Sequence, residues 1–222
     1  MVTLIVSSGF AAKLLVSKGI GTIKHTTIKT DVRNETTDLQ DFSVIHISAA
    51  SNLRIFPGET NQLEYDEISG ENIKPPKTAA IQDYIVKNDT LFINNLRNAS
   101  NGGYTLRVSS LKHLIVKNTT SLDLKRFSQD SLLINSVNSN VTISENSTIS
   151  YVELKSGQKF DLVFKSRKDF GMALSEDNCT ISGDIAEVSG MIGNYTALGI
   201  PRRTEKVAID TSDNGKLHYI VN

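Results

Sequence analysis

Four residues within nine positions, Asp161, Arg167, Lys168 and Asp169, set two carboxylates beside two cations. Carboxylates and a basic residue converging on an outer groove can cleave polysaccharides by general acid–base chemistry. That chemistry needs two carboxyl groups at a defined separation, one with a raised pKa. The spacing here supplies neither, and charged side chains at turns are ordinarily solvated, so no catalytic residue is assigned and the chain is expected not to be an enzyme. The histidines His25, His46, His113 and His218 stand singly, without ligand spacing, and no metal site is assigned. Stacked turn Asn and Asp residues are the one arrangement that could hold Ca²⁺. No glycine loop of the phosphate-cradling kind occurs, and no cofactor is expected. Cys179 is the only cysteine, which excludes an intrachain disulfide, and it falls at an inward position where it reads as a small buried hydrophobe.

A more ordered polar feature is the series Asp123, Thr142, Asp161 and Thr180, spaced 19 residues apart. If successive units stack at about 4.8 Å, the two Asp residues lie about 9.6 Å apart with a Thr between them, which keeps like charges from adjacent strands. Such a column is either a solvated sheet face or a flat outward strip that binds a ligand or partner. Eight Asn-x-Ser/Thr sequences, among them Asn88, Asn118 and Asn140, read as turns and not as glycan sites in a chain this rich in Asn, Ser and Thr.

The elements that carry this column show the same period. Flanking it are Leu122 and Leu124, then Val141 and Ile143, Phe160 and Leu162, Cys179 and Ile181, Leu198 and Ile200. A second set runs Leu114, Leu133, Val152, Gly171, Gly190, with Val116, Leu154, Ala173 and Ile192 two places on and Asn135 as the exception. Apolar and polar residues alternate within each unit, the period of a strand. A fixed period near 20 residues signals stacked units that bury their apolar faces against one another. The expected fold is all-β, a β-solenoid (β-helix-like) with about 19-residue rungs, an irregular N-terminal half and a C-terminal capping hairpin. An antiparallel sandwich also fits strands every 8–12 residues, but gives no reason for a constant period.

Residues 1–21 read as a signal or short membrane anchor, because Val2–Ala12 is an uncharged run too short to span a bilayer and lacking a basic leader. Residues 22–40 read as a linker, and 41–222 as a single domain. Its regular repeats cover about 111–205, and a hairpin at 207–221 turns at Ser212-Asp213-Asn214-Gly215. Glu71–Thr78, with Pro75-Pro76, is expected as an exposed excursion. Tyr104, Leu106 and Val108 alternate properly but stand out of register with the grid. Lys+Arg and Asp+Glu both number 24, so nothing in the charge balance asks for nucleic acid. Trp is absent and aromatics are 6%, which argues against a stacking platform for bases or sugars.

The stretch Phe42-Ser-Val-Ile-His-Ile-Ser-Ala-Ala-Ser-Asn-Leu-Arg-Ile-Phe-Pro-Gly58, with the later Asp89-Thr-Leu-Phe-Ile-Asn94, resembles a family of Bacteroidetes-type envelope proteins, the putative autotransporter adhesins with a head GIN domain. The likeness spans roughly Asp41 to Gly199 and includes no catalytic motif. It departs where members carry Gly-Ser-Gly turns and this chain carries Asn and Ser. It implies a β-helical extracytoplasmic domain (periplasm, outer membrane or cell surface) with an adhesive role. The expected function is a non-enzymatic binding or structural module whose partner is a surface glycan or protein, or an envelope partner. The alternatives are a glycan-active β-helix enzyme, or a membrane-tethered sensor or scaffold if the N-terminal segment is retained.

Overall fold

The computed structural model describes residues 30–70, 80–98 and 101–220. Strands make up 72% of the structure, no helix occurs among the described residues, and the one mixed sheet is not closed. No helix of the described residues is long and apolar enough to cross a membrane. The expected signal or anchor (1–21) and the excursion Glu71–Thr78 lie outside the described residues.

The first half of the chain contributes β1 (Thr30–Asp38), β2 (Val44–Ile47), β3 (Leu53–Pro57), β4 (Gln62–Gly70), β5 (Ile81–Lys87), β6 (Thr90–Arg97) and β7 (Gly102–Val108). The second half contributes β8 (His113–Lys117), β9 (Leu122–Leu124), β10 (Ser128–Val137), β11 (Val141–Ser156) and β12 (Phe160–Leu174). It ends with β13 (Asn178–Ile192), β14 (Ala197–Pro201), β15 (Lys206–Thr211) and β16 (Lys216–Ile220). Alternation produces these strands: Ile45 and Ile47 in β2, or Leu53 and Ile55 in β3, are wholly buried while the residues between them face outward.

The strands form two arrays that share one hydrophobic core. The first runs β5-β6-β2-β8-β10-β11-β12-β13-β15. The second runs β1-β4-β7-β3-β9-β11-β12-β13-β14-β16. The long strands β11, β12 and β13 belong to both arrays, with register shifts near Ser147 and Ser166 where they cross from one to the other. A bulge bends a strand in this way.

Parallel neighbours keep the predicted offset. Leu122 lies opposite Val141, Cys179 opposite Leu198, Val188 opposite Val207, and Leu198 opposite Leu217, each 19 residues on. Between β8, β10 and β11 the offset is 20: Leu114 faces Ile134, and Ile134 faces Leu154. One added residue flips every side chain to the other face. Leu133 therefore points outward, and the Asn135 exception disappears because Asn135 is an outward residue as well.

Three expectations are corrected. The parallel stacking is interrupted, since β12 runs antiparallel to both β11 and β13. The reversal is made at Gly157, with φ 55°, where Lys159 N–H donates to Ser156 O at 2.9 Å. Second, Ser212–Gly215 closes as a turn, with Gly215 N–H donating to Ser212 O at 2.9 Å, but no capping hairpin forms at 207–221. β15 pairs with β13 and β16 with β14, so the turn carries the chain from one array to the other. Third, Thr30–Asp38, inside the stretch expected as a linker, is β1, paired antiparallel with β4 from Thr30↔Gly70 to Asp38↔Gln62. The off-register Tyr104, Leu106 and Val108 also find their cause. β7 lies on the far side of β3 from β9, and β6 on the far side of β2 from β8, so residues 90–108 are stacked outside residues 44–57.

The abundance of Asn is a backbone matter. Asn52, Asn118 and Asn138 take φ near 50° at the turns between the arrays, and Asn88 does so in the β5–β6 turn. Asn tolerates this left-handed conformation better than other side-chain-bearing residues.

Candidate functional site

The outward column survives in part. Arg54 of β3, Asp123 of β9, Thr142 of β11, Ala173 of β12 and Thr180 of β13 are successive cross-strand partners, and Gly199 and His218 extend the row. The structure thus brings Asp123, Thr142 and Thr180 together on the outside of the second array. Asp161 is not with them. Because β12 is reversed, Ala173 takes its place, and Asp161 lies in the first array between Lys155 and Met191. Its hydrophobic neighbours Phe160 and Leu162 are still fully buried, but in that other array.

On its other side Arg54 is followed by Thr105 of β7 and Glu64 of β4. Glu64 accepts an ion-paired hydrogen bond from Arg107 Nε at 2.6 Å, which raises the Arg107 pKa. Arg54 and Asp123 have no side-chain hydrogen bond or ion pair among the described residues. Both border a depression of about 280 Å³, together with Asn52, Ser121, Gly102 and Gly103. The depression exists because β7 opens with two glycines. A Cβ on Gly103 would come to 3.4 Å from Arg54 Nη2, and one on Gly102 would meet the Tyr65 hydroxyl at 2.5 Å. Asn98 forms another wall, held by its N–H to Ser51 Oγ and by Nδ2 to Asn52 O, each at 3.2 Å, while its Oδ1 is buried without a partner.

This pairing of a guanidinium with a carboxylate is chemically suited to polar ligands. The planar Arg fork donates to carboxylate or hydroxyl oxygens, and Asp accepts from hydroxyl or amide groups. Sequence reasoning missed Arg54. Its outward position between Leu53 and Ile55 was readable from alternation, whereas the adjacency of β3 to β9 is a tertiary pairing with no local signal.

The acid–base cluster does not assemble. Asp161 faces Lys155 and Met191, while Arg167 is ion-paired with Glu205, which lowers the Glu205 pKa. On the first array, His46 stacks edge-on against Phe92 at 5.6 Å and His113 hydrogen-bonds Asn135 at 2.9 Å. Burial lowers the pKa of both, with Lys117 adding to the effect at His46 and Glu153 opposing it at His113. Cys179 is fully buried between Leu174 and Leu198, and burial pushes its thiol up to about 12. Among the described residues no group of three or more His, Cys, Asp or Glu side chains could hold a metal ion.

No family model matches the sequence, and no curated protein matches it. Three solved structures are similar. A putative adhesin from Parabacteroides distasonis is 12% identical, with a TM-score of 0.49 over 85% of this chain and 73% of that one. A putative adhesin from Bacteroides fragilis is 10% identical, with a TM-score of 0.40 over 86% and 97%. A putative lipid binding protein from Parabacteroides distasonis is 13% identical, with a TM-score of 0.40 over 85% and 73%.

Proposed function

We propose that this chain is a non-enzymatic, adhesin-like binding module of the bacterial cell exterior. Its strands act as a β-solenoid of about 19-residue passes, a stiff stage that presents the row from Arg54 to Thr180 to a surface glycan or protein. The observation that carries this reading is the placement of Arg54 beside Asp123 at a glycine-floored depression, both without partners in the protein. Unsatisfied charged donors and acceptors on a rigid sheet lose little conformational freedom when they engage a polar ligand.

The test is a glycan and matrix-protein array probed with the whole chain, followed by titration of each ligand found. Arg54→Ala and Asp123→Asn each remove charge-assisted hydrogen bonds, which are worth about 1.5–3 kcal/mol, so affinity falls about tenfold to a hundredfold. Gly103→Val fills the depression and has a similar effect. Asp161→Lys, on the other array, leaves affinity unchanged. Absence of any ligand, or affinity that follows Asp161 and not Arg54, removes the proposal.

A further inference from the structure

The terminal strands β15 and β16 each pair on one side only among the described residues, with β13 and β14. Val207, Ile209 and Leu217 are only partly buried there, whereas Val188 and Leu198, one pass earlier, are fully covered. Tyr219, in the inward row opposite Ile200, is 56% exposed. The core therefore runs out at an uncovered end, rimmed by two strand edges with unpaired backbone groups. Edges of this kind recruit further strands.

The side chains specify which strand fits. In β15, Lys206, Ala208 and Asp210 face outward beside Glu187, Ser189 and Met191, and Val207 and Ile209 face inward. Laid against a reversed copy of itself about Ala208, this strand is self-complementary: Lys206 meets the partner's Asp210, and Val207 meets the partner's Ile209. β16 reversed about His218 sets Leu217 against the partner's Tyr219. Ala208 and His218 are ten residues apart, about half of one pass, and lie in different arrays at the same end. One two-fold axis can pass both.

We propose that this end is a two-fold interface, at which a second copy of the chain docks by antiparallel pairing of β15 with β15 and of β16 with β16. The contact is isologous, so it closes at a dimer and leaves no free edge to propagate. Both charge pairs repeat across the axis and set the register, since opposite charges directly across strands attract and like charges repel.

The experiment is sedimentation velocity on the whole chain over a range of concentrations. A reversible dimer is expected. Asp210→Lys and Lys206→Glu each weaken it about tenfold, and the double variant K206E/D210K, which exchanges the charges, restores it. Ala208→Cys places two thiols across the axis, where opposed Cα atoms lie about 4.5–5.5 Å apart, within disulfide reach. Because Cys179 is buried, mild oxidation then yields a covalent dimer from A208C and none from Asp130→Cys, a control far from the axis in sequence and exposed. A monomer at every concentration, or a dimer that A208C fails to cross-link and the charge variants leave unaltered, overturns the proposal.

Discussion

Gly190 is the sharpest point at which the reversed course of β12 can be tested. It has φ 127° and lies opposite Leu162 of β12 and Ile209 of β15. A Cβ added there would sit 2.0 Å from the Asp161 carbonyl oxygen, and a backbone atom cannot rotate aside. Gly190→Ala therefore incurs two costs: about 1–3 kcal/mol for holding a side-chain-bearing residue at this φ, and about 1–3 kcal/mol for forcing the strands apart. A central figure of about 4 kcal/mol corresponds to a fall in Tm of roughly 8–16 °C for a domain of this size. Gly157 provides the comparison, since its φ is 55° but nothing lies within 4 Å of an added Cβ. Gly157→Ala costs only about 1–2 kcal/mol, or about 2–8 °C. Both variants are followed by thermal melts with circular dichroism and calorimetry. If G190A melts with or above G157A, the close approach of β12 to β13 is wrong, and with it the reversal.

The register has a covalent test. Cysteines at Thr142 and Ala173, cross-strand partners in β11 and β12, form a disulfide on mild oxidation, whereas the pair at Thr142 and Asp161 does not; the opposite outcome restores an unbroken parallel column. Glu187 accepts hydrogen bonds from Lys165 and Lys206, both at 2.8 Å, and these hold its pKa near 2 against an ordinary 4.5. A depressed carboxyl pKa contributes stability above the unfolded value and loses it as pH falls through the folded one. The deficit of Glu187→Gln relative to the unaltered chain is thus full above about pH 4.5, shrinks toward pH 2 and is reduced by salt. Melts across that pH window check the sign, and a deficit that grows in acid contradicts it.

Reading the sequence located the core more securely than the connections. Leu122, Val141, Cys179 and Leu198 were placed in one buried column because alternation is written locally, and they occupy it. The direction of β12 was not legible, because an alternating strand has the same inside and outside read forwards or backwards. Phe160 and Leu162 were accordingly right in burial and wrong in neighbour. The Ser212–Gly215 turn was visible from its residues, but whether it folds two strands together or carries the chain across the core depends on pairings far away. The candidate site divides in the same way. Asp123, Thr142 and Thr180 followed from period alone, Asp161 was displaced by the reversal, and Arg54 entered through a neighbour that no local pattern names.

The position of β2 and β3 separates the order of synthesis from the order in space. A chain made from its N-terminus lays down residues 44–57 before either flank exists, yet these strands end in the interior, with β6 and β7 on one side and β8 and β9 on the other. Both flanks arrive from residues 90–124, across gaps that ordinary loop closure must bridge. The oldest part of the chain thus becomes a keel, and later strands are planked onto it from both sides. Lengthening at either extremity would leave that keel, and the Arg54–Asp123 pair beside it, where they are.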